Sequence, residues 1–314
     1  MSSTLIYLAK LFGVFFLGMI IALIIGRQRL RKTTGVCLQA SLLVLLFCMG
    51  VNAGRIDGIY QKLSSMGLHA LLLAASAMAG SFLLALAYDL VLNSRNEASG
   101  SERSRGSGFS LSALREPLVM VLSVAAGMAA QTLAPEALNW YSGSLVDAML
   151  YLMMGLVGMQ MAQNDVNYKA LFRSPDLIVL PLITILGSYL GTMILSLLMP
   201  YSMKQCLGMV SGFGWYSLSG VLITNAGFPV LGTISFLANL MRELSSFFLV
   251  PLAGRLLPGK MNPAICLSGT SSMDFLLPLL RQNYGLAAVP KAIIHGCIMA
   301  FFVPLLIPIW FPGV

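Results

Sequence analysis

Charge is what this sequence has least of. Only 10% of its 314 residues are Asp, Glu, Lys or Arg, against about 25% in soluble domains. That excludes a soluble enzyme with an ordinary solvated surface. Histidine occurs twice and cysteine five times, with no Cys-x-x-Cys pair. Cys37, Cys48, Cys206, Cys266 and Cys297 lie in or beside apolar runs, as small buried hydrophobes rather than disulfides or metal ligands. No cleavage site of small residues follows the first apolar run, Thr4 to Gly26. That run exceeds the core of a signal peptide, so it is expected to stay in the membrane. Polar sequence is scarce as well. The main exception is 94–116, which contains "RNEASGSERSRGSG" and reads as a cytoplasmic loop without chemistry of its own.

Apolar residues make up 58% of the chain, in recurrent runs of about 20, the length of helix that crosses the hydrocarbon core. The fold class is therefore an all-α polytopic membrane protein. Six spans are expected at 4–26, 36–54, 68–93, 117–133, 145–163 and 177–199. The tail divides into 206–227, 228–254, 263–280 and 287–312. The second and fourth of these are ordinary spans. The first and third are rich in Gly and Ser, poor helix formers, as in "SGFGWYSLSG" and "SGTSS". They are expected to enter the membrane and return, giving eight spans plus two re-entrant, broken segments. With both termini outside, fourteen of the 19 Lys and Arg face the cytoplasm and Arg55, Lys62 and Lys204 face out. If both broken segments crossed fully, the split would fall to 12 against 5. The net charge of +8 then reflects basic cytoplasmic loops, not nucleic-acid binding.

The tail repeats itself. Ser-Gly at 211 and at 268 each opens a broken segment, and each following span contains FF(L)VPL, at 247–252 and 301–305. In the expected topology the two units are inverted copies. A weaker echo links "LLFCMGVNAG" in the second span to "MMGLVGMQMAQ" in the fifth. The chain is thus expected to consist of three spans (1–93), a loop (94–116), three spans (117–200) and a doubled tail (206–314). Inverted repeats with broken helices are the layout of secondary transporters. Irregular backbone survives at membrane depth only where it is buried or lines a watery cavity.

Ionisable groups inside spans are functional candidates by default. Glu243 lies mid-span in "LANLMRELSSFF", four residues after Asn239, and Asp274 lies in the second broken segment. These two are the expected substrate or proton sites. Carboxylates suit a cation or a proton, whereas an anion carrier would place Lys or Arg there. Ser211, Gly212, Gly214, Trp215, Tyr216, Ser217, Asn239, Gly269, Thr270, Ser271, Ser272 and His295 are the expected supporting pocket. Plainer readings stand beside these. Glu243 pairs with a basic neighbour such as Arg242, Asp274 caps a half-helix, and His295 is structural. Asp89 and Asp147 read as interfacial, and Lys10 as snorkelling.

"SGFGWYSLSG", "RELSSFFLVPL", "TSSMDFLLPLL" and "VPKAIIHG" resemble the LysO lysine exporter family of bacterial inner membranes, densely from about Leu207 onward. The resemblance implies export of L-lysine and of its analogue thialysine, and an essential acidic pair at Glu243 and Asp274. It implies no enzyme activity, cofactor or metal; the partners are lysine, protons and the bilayer, with a homo-oligomer left open. The alternatives are export of another cationic amino acid or a polyamine, cation/proton exchange, and, remotely, an intramembrane serine protease using "SLSG" and His295.

Overall fold

The computed structural model describes residues 2–26, 29–56, 58–91, 115–138, 143–163 and 176–311. The expected loop 94–116 therefore lies, apart from its last two residues, outside the described residues. Twelve α-helices and no strand occur among the described residues. The first six are α1 Ser2–Ile25, α2 Arg31–Gly54, α3 Ile59–Val91, α4 Arg115–Leu133, α5 Gly143–Gln163 and α6 Asp176–Ser196. The tail supplies α7 Met203–Val210, α8 Tyr216–Asn225, α9 Pro229–Leu256, α10 Met261–Ser268, α11 Leu277–Tyr284 and α12 Ala288–Trp310. Helices α2, α3, α5, α6, α9 and α12 are long and apolar enough to cross a membrane, and α1 and α4 add apolar stretches Ala9–Ile25 and Leu118–Leu133. Exposed Leu, Ile and Val on their outer faces, such as Leu83, Leu186 and Ile194, are at home against lipid.

Hydropathy locates most helix ends within a few residues. The largest difference is α3, which begins at Ile59 rather than near 68. Exposed Gln61, Ser64 and Ser65 interrupt the apolar signal but do not oppose helix formation, so the helix runs on beyond its apolar part.

The helices form two packing groups. In one, α1 packs on α5, and α2 on α4 and α5; in the other, α3 packs on α6 and both carry the tail. Glycines set the crossings, because a Cβ would meet the opposing backbone. Gly18 faces the carbonyl of Gly155 and Gly158 that of Phe15; Gly127 faces the carbonyl of Phe47 and Gly50 that of Val124. Adding 109 to the α1 numbers and subtracting 108 from the α5 numbers turns the first pair of contacts, between α1 and α5, into the second, between α4 and α2. Gly80 and Gly187 face each other's carbonyls across α3 and α6. Such close crossings suit lipid, where van der Waals contact drives helix association. The two groups meet mainly through α2 against α8 and α9, across an apolar cluster that includes Leu46, Met49, Val124, Tyr216 and Phe236.

Each broken segment of the tail is a helical hairpin. In the first, α7 and α8 flank the turn 211–214. Gly208 packs on Trp310 and Phe311 at the end of α12. Phe228, just beyond α8, also packs on Phe311, with ring centroids 5.3 Å apart. Residues of both arms therefore pack on the end of α12. In the second, α10 and α11 flank a 3-10 turn, Gly269–Met273. Asn262 donates to Asp89, near the end of α3, at 2.6 Å. Asn283 and Tyr284 lie beside Gly254, near the end of α9. Helix α9, 28 residues long and so about 42 Å, runs from the ends of the first hairpin to those of the second.

The two tips meet in the middle. The Thr270 N–H donates to the Phe213 carbonyl at 2.9 Å, and its hydroxyl donates to the same oxygen at 3.2 Å. Gly269 has φ 60° and faces that carbonyl so closely that no Cβ fits. Across the crossing Gly214 has φ 102° and Phe213, a rare non-glycine in the left-handed region, has φ 46°.

Candidate functional site

Helix α9 presents Asn239, Arg242 and Glu243 at i, i+3 and i+4, neighbours on a helix surface. Asn239, 2% exposed, holds the first hairpin. Its amide donates to the Met209 carbonyl at 2.9 Å and to Ser219 Oγ at 3.2 Å, and its Oδ1 accepts from the Gly214 N–H at 2.9 Å. Arg242 holds the second. Its guanidinium donates to the carbonyls of Cys266 at 2.9 Å and Leu267 at 3.3 Å, and to the hydroxyls of Ser188 at 3.0 Å and Ser81 at 3.4 Å. The carbonyls at the end of α10 carry the negative end of its dipole. They serve this buried cation where a carboxylate would be expected, and none of these bonds goes to Glu243. Glu243, 6% exposed, instead accepts a hydrogen bond from the Ser271 hydroxyl at the second tip.

A cavity of about 500 Å³ opens where the tips meet the first packing group, within the roughly 300–1,000 Å³ usual for small-molecule sites. Glu243 and Asp274 both line it. Asp274 is exposed, whereas Glu243 is buried. Gly214, Trp215, Tyr216 and Ser217 line it from the first tip, and Thr270 and Ser271 from the second. The opposite wall comes from α2 and α5, with Gln39 and Gln160 as its polar side chains. Among the described residues, no Lys, Arg or His lines it.

Of the residues singled out from sequence, eight thus share one cavity: Glu243, Asp274, Gly214, Trp215, Tyr216, Ser217, Thr270 and Ser271. The other six stand behind its wall. Asn239 clamps the first tip, and Gly212 packs against Asn239 and Ser219. Ser211 donates to the Leu207 carbonyl and bonds Tyr189. Gly269 makes room for Phe213. Ser272 donates to the Ala292 carbonyl and bonds His295, whose other nitrogen lies 2.8 Å from Thr184 Oγ1. His295 is 1% exposed and does not line the cavity. Asp147 is exposed and accepts from Asn225 at 3.1 Å, and Lys10 is exposed. Asp89, read as interfacial, is buried at 3% exposed. Gln39 and Gln160 went unnoticed in the sequence; their one signal is a lone amide near the polar end of an apolar helix.

A family model described as lysine exporter LysO matches residues 12–115 and 121–311. The chain is 29% identical over 282 residues to the Escherichia coli protein named "Lysine exporter LysO", an alignment covering 90% of this chain and 91% of that one. It is 31% identical over 188 residues to the Haemophilus influenzae protein named "Putative lysine exporter", covering 60% of this chain and 94% of that one. No solved structure matches.

Proposed function

We propose that this chain, which belongs to the lysine exporter LysO family, carries L-lysine and thialysine out of the cytoplasm in exchange for protons. It is a multi-pass protein of the bacterial inner membrane, and its family is one of transporters rather than enzymes. The observation that carries the reading is the single cavity with both Glu243 and Asp274 in its wall. A carboxylate exchanges a proton for an ammonium group without rearranging the backbone around it.

The architecture supports alternating access. We read α1–α3 and α4–α6 as inverted copies, because α1 on α5 corresponds to α4 on α2, down to the glycine contacts. We read α7–α9 and α10–α12 as a second inverted pair whose hairpins enter the membrane from opposite faces. With the N-terminus outside, Gly35 and Gln39 near the start of α2, Met120 near the start of α4 and Gln160 near the end of α5 all stand in the cytoplasmic half. The cavity then faces the compartment from which substrate comes. The apolar cluster beyond it closes the outer side.

Energetics require a coupling ion. Lysine carries one net positive charge, and moving it outward against an inside-negative potential costs about 2.3 kcal/mol per 100 mV. Uniport would run inward. The test is efflux of labelled lysine from loaded vesicles with and without an imposed pH gradient, for wild type, Glu243→Gln and Asp274→Asn. Both variants keep volume and hydrogen-bonding capacity but cannot ionise. Each is expected to reach the membrane and to abolish export, while Glu243→Asp and Asp274→Glu retain part of it. Near-normal efflux by both amides would make the carboxylates structural. Uphill export that survives collapse of the proton gradient would assign the coupling to another ion.

A further inference from the structure

A site for lysine must hold three charged groups, two ammoniums and one carboxylate. Glu243 and Asp274 answer the ammoniums and repel the carboxylate. Among the described residues the cavity wall offers that carboxylate no Lys, Arg or His, and the guanidinium of Arg242, next in sequence to Glu243, is engaged by Ser81, Ser188 and the end of α10.

One feature of the wall has the required polarity. Helix α8 begins in the cavity, at Tyr216 and Ser217. Its N-cap, Trp215, provides no side-chain cap. A helix leaves its first N–H groups unpaired, and they carry about half a positive charge. The N–H of Tyr216 is turned to the Gly214 carbonyl and that of Ser219 to Trp215, so Ser217 and Leu218 hold the first-turn donors between them. Independently, the Ser217 hydroxyl is buried, with the residue 1% exposed, and has no hydrogen-bond partner among the described residues. A buried hydroxyl is ordinarily paired. The neighbouring Ser211, Ser219, Ser235 and Ser246 all donate to a carbonyl.

We propose that the N-terminus of α8, with the Ser217 hydroxyl, is a carboxylate subsite that takes the α-carboxylate of the substrate while Glu243 and Asp274 take its ammonium groups. The inference rests on reading the cavity as the substrate site, and it adds a reason for selecting an amino acid over a diamine. Two carboxylates alone favour a diamine, which has no negative group to repel. An N-terminal helix turn in the same wall reverses that preference without introducing a cation that would compete for Glu243 and Asp274.

The test is binding of lysine and of 1,5-diaminopentane, which is lysine without its carboxylate, to the purified full-length protein in detergent. Wild type, Ser217→Ala and Ser217→Thr are compared. Wild type is expected to prefer lysine. Ser217→Ala is expected to weaken lysine binding by about tenfold, the worth of one hydrogen bond to a charged group, and to leave diamine binding unchanged. Ser217→Thr keeps the hydroxyl and is expected to keep the preference for lysine. Unchanged lysine binding in Ser217→Ala, or an equal loss for both ligands, overturns the subsite. A wild type that binds neither ligand is a separate result, and it overturns the functional reading beneath it.

Discussion

The hairpin of α7 and α8 has no charged side chain at its tip, whereas the tip of α10 and α11 carries Asp274 and is bonded by Glu243 and Arg242. Both are broken helices, both are anchored by α9, and they touch each other through Phe213 and Thr270. They differ in what anchors them. A neutral amide, Asn239, is enough for the first, because its three bonds there go to one carbonyl, one N–H and one hydroxyl. The second is held by a cation, which donates to the carbonyls of Cys266 and Leu267 at the buried end of a helix. The difference extends to the cavity. The first hairpin presents the N-terminal end of a helix, and the second presents a carboxylate. On the subsite proposed above, the two hairpins would meet opposite ends of a zwitterion.

The anchors provide the strongest way to break this comparison. Arg242→Ala strips four bonds from buried acceptors and is expected to destabilise the protein by about 3–6 kcal/mol, at about 1.5–3 for each of the two carbonyls that lose a charged donor. Asn239→Ala removes neutral bonds only, and about 2–3 kcal/mol is expected. Thermal unfolding in detergent measures both. If the two variants unfold alike, the hairpins are not held by different means.

The tips come next. Gly269→Ala must place a Cβ into the Phe213 carbonyl at φ 60°, and it is expected to separate the hairpins, with loss of export. At Gly214, φ is 102° but the nearest atom to a new Cβ is 3.4 Å away. Gly214→Ala is therefore expected to cost only backbone strain, about 1–3 kcal/mol, and to keep part of the transport. Equal loss of efflux in both variants would mean that the contact between the tips is not what the second glycine protects.

His295 gives the smallest expected effect. It stands behind the second hairpin, bonded to Ser272 and Thr184, and has no face in the cavity. His295→Gln is expected to lower thermal stability by about 0.5–1.5 kcal/mol, the worth of the hydrogen bond lost or strained, and to leave the pH dependence of lysine efflux intact. Loss of proton coupling with lysine binding preserved would make it a relay instead.

Much of this arrangement is legible in the sequence because membranes impose few options. Apolar runs locate the helices, and the clustering of Gly with Ser in "SGFG" and "SGTSS" locates the breaks, because several poor helix formers together interrupt a helix where the single Gly of a crossing does not. The acidic pair is legible for the same reason, because an ionisable group in a span rarely stands without a purpose. The anchoring of Arg242 is not legible. Its partners Ser188 and Ser81 lie 54 and 161 residues away on helices whose pairing no local pattern encodes. A helical wheel turns Arg242 away from Glu243 but does not show what it turns toward. Gln39 and Gln160 escaped for a related reason. One amide near a helix end reads as interfacial until a second helix brings it to the same cavity.

The central claim is that the cavity holding Glu243 and Asp274 receives its substrate from the cytoplasm. It is tested most directly by a cysteine at Gln160, in a background where the exposed Cys37 is replaced by Ser. A membrane-impermeant maleimide is applied to each face of oriented vesicles, with and without lysine. Labelling is expected from the cytoplasmic face, to be slowed by lysine, and to lose that protection when Glu243→Gln or Asp274→Asn is added. Labelling from the outer face alone, or lysine protection that persists in both amide variants, would contradict the account.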